Sequence, residues 1–258
     1  MKKKNLCFFL VLCIVVTCGA GCSDEWSFTS KAVVPTVIPG KIIGYVALRD
    51  ERGGGILDTG VTVTLSSANP VRTVSTDIRG RFQLDSVPPG TYDITYEKQG
   101  YGTYKAFGFV LPGGATALSA GKITMVKVAS AVVDSLTVDT SAADHITFSA
   151  FLRPSLGDSA VNAARFFVSM DDPNVSSTSY AFADADYGTT TYNAGNHSIQ
   201  YCLPVSQVSG YVIKNLPLYA VAYGAPSNEP AYFDITAGVN VWPALSLVKS
   251  NVVTFQVH

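Results

Sequence analysis

From Lys41 onward the chain is built of short runs in which apolar and polar residues alternate. Ile42, Ile43, Tyr45 and Val46 open the first run, and residues 61–65, 81–84 and 91–96 follow with a period of two. That period sends successive side chains to opposite faces, so it predicts half-buried β-strands. Between them lie Gly53-Gly54-Gly55, Asp77-Ile78-Arg79-Gly80 and Pro88-Pro89-Gly90, clusters of the residues that reverse a chain. Further strands are predicted at 132–138, 145–152, 164–169, 180–182, 198–203, 211–213 and 252–257. After Cys22 no apolar pattern keeps a helical period over three turns, so very little helix is expected. The reading is all-β, with two tandem antiparallel β-sandwiches at 40–125 and 126–258.

The first 39 residues follow different rules. Lys2, Lys3 and Lys4 precede an apolar run from Leu6 to Val16, which has the layout of a secretory signal and is too short for a comfortable membrane span. Gly19-Ala20-Gly21 then places small residues directly before Cys22. This stretch resembles the lipobox of bacterial lipoproteins, with Gly19 where Leu is usual. The resemblance implies a signal peptide at 1–21 and acylation of Cys22, and acyl chains hold a protein on a bilayer at about 0.8 kcal/mol per buried methylene. Ser23-Asp24-Glu25 resembles the acidic signal that moves Bacteroidota lipoproteins to the outer face of the outer membrane, so a cell-surface location is expected. Residues 22–39, with Pro35 and Pro39 and no sustained period, read as the lipidated N-terminus and tether.

Charge narrows the partners. The whole chain carries 18 basic and 19 acidic residues, and loss of the signal leaves 15 basic ones, a mildly acidic remainder without the clustered Lys and Arg that phosphate contacts need. Nucleic acid is therefore set aside as a partner. Hydrophobic residues at 47% supply material for packed cores. Of five cysteines, Cys202 alone lies beyond Cys22; no His or cation stands near it in sequence, and it reads as a buried strand residue.

Several segments together carry a family resemblance. Gly44-Tyr45-Val46, residues 60–65, Thr76-Asp77-Ile78-Arg79-Gly80-Arg81-Phe82, Val87-Pro88-Pro89-Gly90-Thr91-Tyr92 and Gly100-Tyr101 resemble, in order and spacing, the carboxypeptidase regulatory-like domain. The resemblance implies a transthyretin-like Greek-key sandwich of roughly seven strands and an appended, non-catalytic role. In it the Asp77–Gly80 turn needs a glycine, Pro89-Gly90 reverses the chain before Tyr92, and Phe82 points inward. More loosely, residues 165–169, 216–223 and 250–255 resemble fibronectin type III-like or immunoglobulin-like modules, with Tyr219 expected to fill the core. If the last two of these segments are the final strands, the connection from Gly224 to Lys249 runs about 25 residues, far beyond a usual hairpin loop. Long loops commonly carry function, so Tyr232, Phe233 and Trp242 are the candidate ligand-binding residues.

Along the chain few residues fall into a pattern that carries chemistry. His145, His197 and His258 fit no zinc pattern, no G-x-S-x-G elbow exists, and no phosphate-binding glycine motif precedes a helix. No cofactor is implied. Asp184-Ala185-Asp186-Tyr187-Gly188 matches the opening of a calcium loop, but Gly195 stands where the closing carboxylate belongs, so Asp184 and Asp186 read as a solvated turn and a weak metal candidate. The expectation is a non-enzymatic, lipid-anchored surface protein that binds a glycan or a surface protein. The alternatives are a structural partner of an outer-membrane transporter or surface appendage, and an unrecognised hydrolase.

Overall fold

The computed structural model describes residues 37–153, 163–170, 172–186, 198–208 and 216–257, and the protein is all-β across them. The signal expectation, residues 22–36 of the expected tether with Cys22, His197, His258 and the strand expected at 211–213 lie outside the described residues, and residues 37–39 carry no strand. Residues 37–258 pack as one compact unit built around two hydrophobic cores.

The first core is enclosed by seven strands, β1 (Gly40–Arg49), β2 (Thr62–Leu65), β3 (Arg72–Ser75), β4 (Arg81–Val87), β5 (Gly90–Glu97), β6 (Tyr104–Leu111) and β7 (Ala117–Val126). They form two facing sheets, ordered β4-β1-β7 and β3-β2-β5-β6. The period of two sorts the side chains: Tyr92, Ile94 and Tyr96 of β5 turn inward with Phe82, Leu84 and Val63. Phe82 meets Tyr96 edge-on at 6.0 Å, and burial pushes the Tyr96 phenol up to about 12.

One pairing departs from the expected antiparallel sheet. β1 and β7 run parallel, from Lys41 beside Ala117 to Arg49 beside Val126. β7 follows β6 of the opposite sheet and crosses over before it pairs, and a crossover is what permits parallel neighbours.

The Asp77–Gly80 turn forms as its residues require. Asp77 Oδ1 accepts from the Arg79 and Arg81 amides at 2.8 and 2.9 Å, and these donors hold its carboxyl below the usual range. Gly80 has φ +73°, and any Cβ there would run into the Val46 carbonyl oxygen. The turn before Tyr92 differs from expectation. Ser86 (φ 56°) takes the left-handed conformation, whereas Gly90 begins β5 beneath the Tyr92 hydroxyl, which donates to Pro88 O at 2.7 Å.

The second core lies between the sheets β12-β9-β8 and β11-β10-β13-β16. Their members are β8 (Val132–Asp139), β9 (His145–Arg153), β10 (Ala164–Ser169), β11 (Phe182–Asp186), β12 (Ser198–Pro204), β13 (Leu218–Gly224) and β16 (Val253–Phe255). A single-turn helix, α1 (Val205–Val208), follows β12, and a separate hairpin, β14 (Tyr232–Asp234) and β15 (Val239–Val241), interrupts the long connection. Phe148 sits at the centre, with ring centroids of Phe166, Phe255 and Tyr201 at 5.8, 5.7 and 6.2 Å.

β10 is buried at all six positions because both faces of its sheet are covered. Phe166 and Val168 face the sandwich core, while Phe167 joins Val221, Tyr223 and Leu245 in a separate outer cluster. This third layer corrects the expectation for Tyr219. Leu218, Ala220 and Ala222 fill the core, and Tyr219 lies half-buried on the opposite face against the outer cluster.

Candidate functional site

The long connection after β13 is not a loose loop. Its hairpin pairs Tyr232 with Val241, Phe233 with Asn240 and Asp234 with Val239. Asp234 Oδ1 accepts from the Thr236 and Ala237 amides at 2.9 and 3.1 Å, which caps the tip. Strand alternation then separates the candidate residues. Tyr232 packs on the first core with its ring 6.2 Å from Phe107, and Asp234 lies 4.0 Å from Lys105 Nζ on the same strand, β6. Phe233, on the other face, is 55% exposed, with Ile235 62% exposed beside it.

Trp242 has a packing role. Its indole closes the outer cluster, 5.7 Å from Phe167 and 5.9 Å from Tyr180, and the Arg165 guanidinium lies over the ring at 4.1 Å. Tyr180 donates to Asn240 O at 2.7 Å, tying the hairpin to the same cluster. Of the three residues singled out from the sequence, the structure leaves Phe233 most available to a ligand.

Arg165 and Glu229 were missed by sequence reasoning. Their side chains are 7% and 0% exposed, with Arg165 Nε 3.7 Å from Glu229 Oε2, while Glu229 Oε1 accepts from the Ala244 amide at 2.8 Å. Burial pushes the Glu229 carboxyl up to about 7 despite the neighbouring guanidinium. A signal was present in the sequence: Arg165 interrupts an otherwise apolar run, and a charge inside a buried strand requires a partner.

The same connection joins the two sandwiches. Ser227 N donates to Glu51 O at 2.8 Å, and the Ser130 amide and hydroxyl both donate to Glu51 Oε2, at 2.9 and 2.8 Å. Ala129 N donates to Ala244 O at 2.8 Å, and Gly102 is pressed against the backbone of Pro243.

The remaining candidates fall elsewhere. Asp184 and Asp186 lie in β11, paired with Phe166 and Ala164 of β10, so an extended strand replaces the expected turn. The rest of the calcium-loop pattern is outside the described residues. Among the described residues, no three His, Cys, Asp or Glu side chains converge as metal ligands, and no helix is long and apolar enough to cross a membrane. His145 Nδ1 is 2.6 Å from Asp144 Oδ1 at the start of β9.

Cys202 is exposed, contrary to the core reading, because Ile199, Tyr201 and Leu203 take the inward positions of β12 and leave Gln200 and Cys202 outside. In a chain beginning at Val37, Cys202 should therefore react with a maleimide without denaturant. Labelling that needs unfolding would contradict the exposed position.

No curated protein matches the chain. Among solved structures, a candidate carbohydrate-binding protein from Bacteroides uniformis aligns over 85% of this chain and 100% of its own, at 14% identity and TM-score 0.34. A DUF3823 family protein from Parabacteroides merdae aligns over the same shares at 11% identity and TM-score 0.34. A candidate carbohydrate-binding protein from Pseudomonas aeruginosa aligns over 35% of this chain and 93% of its own, at 20% identity and TM-score 0.24. Residues 42–129 match the sequence model of the carboxypeptidase regulatory-like domain, so the first sandwich, about a third of the chain, is similar to that family.

Proposed function

We propose that this chain is a lipid-anchored protein of the bacterial outer membrane that binds a surface glycan without transforming it, with the first sandwich as a rigid spacer. The observation that carries this reading is the parallel β1–β7 pair. The chain enters the first module at Gly40 and leaves after Val126, at opposite ends of the same sheet. At about 3.3 Å per residue, the ten residues of β1 separate entry from exit by about 30 Å. An antiparallel last strand would bring the chain back to its starting end. The Glu51, Ala129 and Pro243 contacts keep the second module fixed at the far end.

Phe233 is the aromatic surface this arrangement offers, on a hairpin anchored on both sides. An exposed aromatic ring suits the apolar face of a sugar. Glu229, whose raised carboxyl would be the conspicuous acid-base candidate, is sealed from solvent by packing and so supports binding over hydrolysis. A second reading, a partner of a transporter or surface appendage, draws support from Leu247, 92% exposed beside the exposed Val248.

Two measurements test the proposal. Cys22→Ala should abolish incorporation of an alkyne-tagged fatty acid and release the protein from membranes. Unchanged membrane association would remove the anchor. Phe233→Ala should lower signal on a glycan array at least tenfold, whereas full retention, with a transporter co-purifying from membranes, would favour the second reading.

A further inference from the structure

The first sandwich has a cleft of its own, of about 400 Å³, where the β3–β4 connection crosses between sheets. Tyr45, Arg81, Gln83, Ser75, Asp77 and Phe82 line it. That volume lies within the usual span of small-ligand sites. Tyr45 pairs across the strands with Arg81 and is 43% exposed, and the guanidinium carbon of Arg81 sits 5.9 Å from its ring centroid.

The backbone around the cleft argues against an added peptide strand. Arg81 is already engaged through Asp77, whose amide donates to Arg81 O and whose carboxylate accepts from Arg81 N, both at 2.9 Å. Four residues on, Arg72 donates to Asp85 O at 3.1 Å. Of the three residues between these closed points Phe82 and Leu84 are buried, which leaves Gln83 alone on the open side, too short an edge for a strand to follow. A compact ligand fits where an extended one does not.

Side-chain chemistry selects the kind of ligand. Asp77 turns its carboxylate to backbone amides, and Asp85 is held by Lys41 at 3.2 Å and by the Gln83 amide. Among the described residues no carboxylate lies within ion-pair distance of Arg81. The Arg81 guanidinium stands over the Tyr45 ring and helps to lower the Asp77 carboxyl, but it makes no ion pair among the described residues, so this pair suits a sugar ring that bears a carboxylate, the ring packing against Tyr45 and the acid meeting the Arg81 fork.

We propose that the Tyr45–Arg81 cleft of the first sandwich binds an acidic saccharide of the uronic-acid class. This gives the first module a binding role separate from the Phe233 hairpin.

The test is calorimetric titration of the full chain with oligogalacturonate and, in parallel, with an uncharged galactan oligosaccharide. Oligogalacturonate should bind with an affinity that falls as salt is added, and the uncharged oligosaccharide at least tenfold more weakly. Arg81→Gln and Tyr45→Ala should each weaken oligogalacturonate at least tenfold, Arg81→Lys should retain part of the affinity, and Phe233→Ala should leave it unchanged. Both Tyr45 and Arg81 are exposed, so unaltered thermal unfolding of these variants separates lost binding from lost fold. Absence of oligogalacturonate binding, equal affinity for the two sugars, or binding indifferent to Arg81→Gln would overturn the proposal. Sensitivity to Phe233→Ala without sensitivity to Arg81→Gln would assign the sugar to the hairpin instead.

Discussion

Replacing Arg165 with Met destabilises the protein by about 1 kcal/mol more at pH 8 than at pH 5, because at pH 8 Glu229 must take up a proton to escape being a stranded buried charge, at roughly 1.4 kcal/mol per pH unit above its value of about 7. Glu229 has no exposed side-chain surface, and Arg165 compensates its carboxylate at 3.7 Å. Without the guanidinium, the site can hold Glu229 comfortably only as the neutral acid. The double variant Arg165→Met with Glu229→Gln should recover most of the loss. Equal destabilisation at both pH values would show that the damage comes from lost packing under Trp242 rather than from charge.

The unsubstituted chain carries a related signature. Burial raises the Glu229 carboxyl from its ordinary value of 4.5 to about 7, so between those values the folded state binds a proton that the unfolded state has released. This contribution to stability is therefore full below about pH 4.5, falls as pH rises toward 7, and stays flat above. The span corresponds to about 3 kcal/mol, at roughly 1.4 kcal/mol per pH unit. Glu229→Gln should remove that slope from a series of denaturant titrations between pH 5 and 8.

Gly102→Ala should uncouple the two sandwiches. A methyl group at this buried position has no space, since Pro243 presents its carbonyl carbon and oxygen there, and backbone cannot swing aside as a long side chain can. Overpacking of this kind costs about 1–3 kcal/mol. The cost falls on the junction, because Gly102 precedes β6 in the first module and Pro243 precedes Ala244, which accepts from Ala129 and donates to Glu229. Calorimetry should resolve one cooperative transition in the parent and two in the variant, with protease cleavage appearing near Ala129. A single transition at an unshifted temperature would mean that the contact contributes nothing to the coupling.

The strands of the first module were legible because each alternates between core and solvent, as Tyr92, Ile94 and Tyr96 do against Asp93 and Thr95. Its turns were legible where a single residue type is required: Gly80 faces a carbonyl that no side chain could clear, and Asp77 needs only neighbouring amides. Cys202 was misjudged because residue type outweighed register, since in a strand the neighbours Tyr201 and Leu203 decide which face a residue takes. Tyr219 was misjudged for the opposite reason. Its sheet is covered on both faces, and a run that is apolar throughout, such as Leu218–Gly224, does not say which side the larger core occupies.

Local pattern thus determined the all-β class, most strand positions and the sharp turns, since period and backbone sterics act over a few residues. Contacts between distant segments decided the rest. The parallel β1–β7 pair, the burial of Glu229 beside Arg165, the packing of Trp242 and the exposure of Phe233 each depend on chain that lies tens of residues away in sequence. Hydrogen-bond pairing and desolvation act through space, and the order of residues along the chain does not state which segments will meet.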